Sequence, residues 1–208
     1  MKQNLRIAWI MGWAIPKPWF NTQVLEVFPD ENHSFFEPSE DALTKLSKES
    51  PFDITVGYSL GSLLLLKANL PQAKTGKVFL LAPILGFTRE MKLGGKIPLN
   101  QLKYTHKLLS QDPFKTVTHF HNLMGLVPTS EVSYFFSSEE LTVLKYGLKI
   151  LEETRVELTQ LPYATAICGN LDPLLDASIL KTFLPKLHLI DNATHEPVSL
   201  LKSMKGLI

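Results

Sequence analysis

The sequence predicts an α/β domain built on a mostly parallel sheet with flanking helices, and three observations carry that expectation. Short apolar runs bounded by turn residues alternate with helix-length amphipathic stretches, the pattern of strands joined by crossover helices. The runs are nearly continuous in apolar residues, as strands covered on both faces are. With 208 residues and 45% apolar side chains, the chain has material for one full core, which excludes disorder and requires no covalent staple.

In chain order, strands are expected at Leu5–Met11, Ser34–Glu37, Ile54–Gly57, Val78–Ala82, Ala164–Cys168 and Leu187–Ile190. Helices are expected between and after them at Pro18–Val27, Glu40–Lys48, Leu60–Asn69 (stopped by Pro71), Ala177–Phe183 and Pro197–Met204. The alternation fails over residues 87–161, where helical signals follow one another without a strand. Asp112-Pro113 supplies an N-cap with proline at the first helical position, and Phe114, Val117, Phe120 and Met124 recur behind it at helical spacing. Ser137 and Glu140 form a capping box ahead of Leu141, Leu144, Leu148 and Leu151. The expected organisation is therefore a core of residues 1–86 and 162–208, interrupted by a helical lid insertion of four-helix type over 87–161.

Charge and hydropathy exclude several functions. Lys and Arg number 21 against 20 Asp and Glu, so no global field collects nucleic acid or coats a membrane. The most apolar windows, Ile7–Ile15 and Leu63–Leu66, fall short of the ~20 residues of a spanning helix. Met1-Lys2 and the first window lack a small-x-small cleavage site, so they do not read as a signal peptide. Cys168 is the lone cysteine, which rules out an internal disulfide and suits a reducing compartment. A cytoplasmic protein is expected, with no nucleic-acid or membrane partner, and a monomer is the simplest state.

Chemistry concentrates at three strand ends. Gly57-Tyr58-Ser59-Leu60-Gly61 follows one strand directly and opens the next helix. A serine at such a junction sits in a strained turn with its hydroxyl exposed, and the flanking glycines let strand and helix pass closely. A serine hydroxyl is a weak nucleophile near neutral pH, so it needs a base, and the base needs an acid to fix its tautomer. Asp172 follows the fifth strand in Gly169-Asn170-Leu171-Asp172-Pro173, and His195 follows the sixth in Asp191-Asn192-Ala193-Thr194-His195. Both would share the sheet edge that carries Ser59, where open α/β sheets bind ligands.

Plainer readings stand beside these. The serine turn could be inert, and Asp172, like Asp176, could merely cap the next helix. An acyl-transfer intermediate needs backbone donors, for which the N–H groups of Leu60 and of Trp13, in Met11-Gly12-Trp13-Ala14, are the candidates. Trp13 reads equally well as a core aromatic. His119-x-His121 matches no usual zinc spacing and reads as solvated or groove-facing, so no metal or other cofactor is expected.

These residues resemble the α/β-hydrolase superfamily, and within it the pimeloyl-acyl-carrier-protein methyl ester esterases of biotin synthesis. Met11-Gly12-Trp13 is similar to that family's His-Gly-Trp, and Gly57-Tyr58-Ser59-Leu60-Gly61 to its Gly-Trp-Ser-Leu-Gly. Gly147-Leu148-Lys149-Ile150-Leu151, Leu161-Pro162, Gly169 and Leu171-Asp172 follow the family's spacing. The resemblance implies an α/β-hydrolase fold, N-terminally shortened relative to the superfamily because the leading hairpin has no counterpart before Leu5. It also implies a serine carboxylesterase with Ser59, Asp172 and His195 as its triad, acting on pimeloyl-acyl-carrier-protein methyl ester. Met11 departs from the customary histidine, which removes a hydrogen-bonding prop of the loop. A carboxylesterase or thioesterase for another acyl chain, and a non-catalytic ligand-binding homologue, are the alternatives.

The lid carries two further expectations. Trp13, Phe120, Leu123 and Met124 would line an acyl channel, with packing of lid on core as the plain alternative. Residues 89–121 hold six Lys and Arg against two acids, whereas residues 131–157 hold six acids against three Lys and Arg. Lys103 and Lys107 would therefore face an acidic acyl carrier protein, unless that run is only a solvated helix face.

Overall fold

The computed structural model describes residues 4–49, 51–68, 70, 72–126, 136–157 and 164–208. Six strands, β1 (Arg6–Ile10), β2 (Asn32–Phe36), β3 (Ile54–Tyr58), β4 (Lys77–Leu81), β5 (Ala164–Gly169) and β6 (His188–Ile190), form one sheet in the order β2-β1-β3-β4-β5-β6. Every pairing is parallel. The central strands are buried along nearly their whole length, β3 entirely so, which is why they read as continuous apolar runs. The edge strands are different: β2 is partly exposed until Phe36, and β6 is exposed or half-exposed throughout. β2 therefore begins at Asn32, two residues earlier than expected, because polar Asn32-His33 suits an edge without making an apolar run.

The chain leaves β1 toward β2 and returns on the other side of β1 as β3, so the sheet reverses its winding between β1 and β3. Right-handed crossovers then place α1 (Lys17–Val27) on one face, and α2 (Ala42–Glu49) and α3 (Leu60–Ala68) on the other. Packing agrees, since α1 lies against α9 (Pro197–Lys205) and α2 against α3. The expected end of α3 at Asn69 and Pro71 lies outside the described residues. A short helix, α4 (Gln72–Thr75), precedes β4, and α8 (Ala177–Phe183) joins β5 to β6 with Asp176 as its N-cap. On the α1 face Trp9, Phe20, Phe28 and Phe35 form an aromatic cluster. His33 belongs to it: Nδ1 accepts from Trp9 Nε1 at 3.1 Å, which leaves Nε2–H to donate to the Phe28 carbonyl at 2.9 Å.

Between β4 and β5 the insertion carries, among the described residues, three α-helices: α5 (Leu99–Gln111), α6 (Pro113–Met124) and α7 (Ser138–Glu153). Asp112 caps α6 by accepting from the Lys115 N–H, and Ser137 with Glu140 makes both bonds of the capping box on α7. Helix was expected from residue 87, but residues 86–97 instead form a strap of isolated bridges around a 3₁₀ turn at Arg89–Met91. The strap closes the neck of the insertion: Gly86 pairs antiparallel with Arg155, and Val156 N–H donates to Leu85 O at 2.8 Å. Residues 127–135 and 158–163, with the expected boundary at 161/162 and the Leu161-Pro162 pair, lie outside the described residues.

Candidate active site

Ser59 stands between β3 and α3 with φ of +54°, a left-handed conformation that a non-glycine residue adopts only where its surroundings hold it. They do so on both sides. Ser59 N–H donates to Leu81 O on β4 at 2.9 Å, and Ser62 Oγ donates to Ser59 O at 2.6 Å while accepting from Ile84 N–H. The glycines permit the crossing, because a Cβ on Gly61 would lie 2.0 Å from Ile10 O and one on Gly57 2.6 Å from the Ser62 backbone.

The loops after β5 and β6 bring the other two residues to this turn. His195 Nε2 lies 2.9 Å from Ser59 Oγ, and His195 Nδ1 lies 2.7 Å from Asp172 Oδ2. Asp172 Oδ1 accepts from the N–H groups of Leu174 and Leu175 at 2.8 and 3.0 Å, so both carboxylate oxygens are engaged. With the carboxylate accepting from Nδ1–H, His195 presents Nε2 as an acceptor to the serine hydroxyl. The two loops are stitched together by Leu171 N–H donating to Ala193 O and Asn192 N–H donating to Asn170 Oδ1, both at 2.9 Å. Cys168 lies 4.0 Å from Asp172 Oδ2, and burial with that carboxylate pushes its thiol far up, so it stays protonated.

Several supports of this arrangement carry no sequence signal. Tyr58, fully buried, donates its hydroxyl to the carbonyl of His195 at 2.8 Å, and burial raises its phenol well above the usual value. Lys96 in the strap donates to Asp172 O at 2.6 Å, while its N–H donates to Leu174 O, so the strap grips the acid loop. Nothing local in the sequence marks either residue, since each partner lies many residues away.

Against the expected exposure, Ser59 is only 4% exposed as a residue, and Asp172 and His195 are fully buried. Trp13 is also buried. Its Nε1 donates to Leu144 O of α7 at 2.8 Å, and its ring meets Phe120 of α6 edge-on at a centroid distance of 4.7 Å. Gly147 makes the α7 contact possible, because a Cβ there would stand 2.5 Å from Trp13 Cδ1. Among the described residues, no protein acceptor takes the backbone N–H of Trp13 or of Leu60.

Val117, Phe120 and Met124 face inward and are buried, and Leu123 is partly buried against the core. Phe114 departs from the expected stripe and is 52% exposed. Lys103 and Lys107 lie exposed on α5, with Lys103 Nζ 4.0 Å from Glu152 of α7. His119 is exposed, but His121 is buried, neither solvated nor groove-facing, with Nε2 2.7 Å from Ala14 O. Among the described residues, no group of three or more His, Cys, Asp or Glu could hold a metal ion. Among the same residues, no helix is long and apolar enough to cross a membrane.

No protein-family model and no curated protein matches the sequence. Solved structures do match the fold along nearly its whole length. An esterase (EaEST) from Exiguobacterium antarcticum superposes with a TM-score of 0.73 at 10% identity, over 100% of this chain and 91% of its own. BioG from Haemophilus influenzae superposes with a TM-score of 0.65 at 12% identity, over 95% and 91%. The bottromycin epimerase BotH, in complex with bottromycin A2, superposes with a TM-score of 0.66 at 12% identity, over 99% and 91%. The fold is that of the α/β-hydrolases.

Proposed function

From the α/β-hydrolase fold as premise, we propose that this chain is a serine carboxylesterase. The observation that carries the reading is the buried hydrogen-bonded line Ser59–His195–Asp172, assembled from three strand ends at the point where the sheet reverses its winding. A fold shared with an epimerase does not select a reaction, so the side chains must do so. Ser59 Oγ attacks the ester carbonyl as His195 Nε2 takes its proton, and Asp172 holds the imidazolium that forms. The N–H groups of Leu60 and Trp13 receive the negative charge of the tetrahedral intermediate. Protonated His195 returns the proton to the departing alcohol, and a water activated by His195 releases the acid and restores Ser59.

For the substrate we propose pimeloyl-acyl-carrier-protein methyl ester, hydrolysed to methanol and the free-acid thioester in biotin biosynthesis. Support comes from the resemblance of the loop after β1, the serine turn and the Gly147–Leu151 stretch to that esterase family. The exposed Lys103 and Lys107 suit an acidic carrier. Inward-facing Phe120 and Met124, with half-buried Leu123, offer the acyl chain an apolar wall beside Trp13. A fluorophosphonate probe should label the parent at Ser59 and leave Ser59→Ala unlabelled. Complementation of a bacterium lacking its biotin-pathway esterase, with Ser59→Ala as control, tests the substrate. Labelling without complementation would retain the esterase and remove the biotin role, and no Ser59-dependent labelling would leave a ligand-binding homologue.

A further inference from the structure

We infer that His121, supplied by the insertion, is a positioning residue for the oxyanion loop. The inference rests on the serine-esterase reading of Ser59. The loop Gly12–Ala14 carries the Trp13 N–H proposed as an oxyanion donor, and Ala14 holds φ of +57° without being glycine. Such a conformation persists where neighbours fix it. Met11, at the head of the loop, is buried and has an apolar side chain, so its backbone N–H to Phe36 O at 3.0 Å is its hydrogen-bonding anchor.

Further contacts come from the insertion. His121 of α6, 2% exposed, donates Nε2–H to Ala14 O at 2.7 Å, a direction set by the carbonyl, which can only accept. One residue earlier on α6, Phe120 braces the Trp13 ring, and Leu144 O of α7 holds its indole N–H. The loop that carries the Trp13 N–H is thus held from α6 at the Ala14 carbonyl, two peptide groups further along the chain, and from both helices at the Trp13 side chain. Oxyanion donors act only when already placed within hydrogen-bond range of the developing charge, and a displacement of about 1 Å costs on the order of 100-fold in rate. The loop and the insertion are one mechanical unit. A movement of α6 that breaks the His121 bond also releases the donor.

The test compares His121→Phe and His121→Leu, which fill the site without a donor, with His121→Gln, which retains an N–H. On a small soluble ester, each apolar variant should lose ~10-fold or more in kcat with little change in KM. Affinity for a trifluoromethyl ketone, whose hemiketal oxyanion reads the donors directly, should fall in parallel, and His121→Gln should recover a large part of both. Amide hydrogen exchange over residues 11–16 should quicken in the apolar variants, a readout that needs no turnover. Folded apolar variants with kcat, ketone affinity and exchange within twofold of the parent would overturn the inference. Failure of both apolar variants to fold would overturn it equally, by making His121 a structural residue of the insertion. A parent without Ser59-dependent turnover would instead remove the esterase reading, with the exchange comparison still deciding the loop.

Discussion

The hydroxyl of Tyr58 crosses from the serine turn to the carbonyl of His195, so one residue shapes the turn that carries Ser59 and holds the loop that carries His195. Removing it leaves a buried carbonyl without its donor, a cost of about 1–3 kcal/mol. Tyr58→Phe should therefore lower the melting temperature measurably and lower kcat more than KM, as steady-state kinetics and a thermal melt would show. For the triad, Ser59→Ala and His195→Ala should each lower ester turnover by at least ~10³-fold without unfolding, with Asp172→Asn falling steeply through the wrong tautomer. Retained hydrolysis in folded Ser59→Ala would end the mechanism. That Ser59, Asp172 and His195 would meet was legible because each follows a strand of a parallel sheet, which puts all three at one edge. Tyr58 was not, because its partner lies 137 residues away and no local pattern encodes a bond of that range. His121 adds a pH effect. Burial lowers its pKa below the ordinary 6.5, so as pH falls below that value the unfolded chain binds a proton that the folded ring refuses. Stability should thus decline from about pH 6.5 downward until the buried ring itself protonates, and His121→Gln should flatten the decline in melts taken from about pH 7 to about pH 5.

Among the elements, α6 and α7 announced themselves through their caps, Asp112-Pro113 and Ser137 with Glu140, which are chemical necessities of a helix start. α5 did not. It begins after Pro98 with no side-chain cap, and only Leu102 and Leu109 are buried along its 13 residues, too sparse a stripe to show a period. The strap at 86–97 was hidden for a different reason, since isolated bridges to distant partners leave no local periodicity. Two residues of α6 test the stripe at different depths. Phe120, 8% exposed and braced on Trp13, should cost about 3–5 kcal/mol when cut to alanine, read as a large fall in melting temperature. Leu123, only partly buried, should when cut to alanine shift acyl chain-length preference with a smaller fall. An unchanged substrate profile in Leu123→Ala would assign the whole stripe to packing.

Across the whole molecule, class and composition were legible, whereas the order of the strands was not: parallel runs of similar apolarity do not state their neighbours, and only the assembled sheet shows the reversal between β1 and β3. The charge division was legible as a count, but the structure refines it, since Lys96 is spent on Asp172 O and Lys103 stands at 4.0 Å from Glu152. Exposed pairs at that range contribute little, so both lysines of α5 remain available to an acidic surface. Lys103→Glu combined with Lys107→Glu should therefore reduce activity on a carrier-linked methyl ester, leave a small soluble ester unaffected, and mimic added salt, which screens over about 8 Å at physiological strength. Equal activity of the double variant and the parent on the carrier-linked ester at low salt would clear the basic helix of any docking role. The closed neck of the insertion has a consequence for ancestry and engineering. Because residues 85–86 meet residues 155–156 and β4 pairs directly with β5, the insertion is a cassette whose two ends sit side by side, and a differently shaped cassette grafted there should leave the β4–β5 register in place. Two conditions bind any exchange of that cassette: the strap that holds the Asp172 loop through Lys96 must stay, and a graft that lacks a counterpart of His121 must bring its own support for the loop beside Ser59.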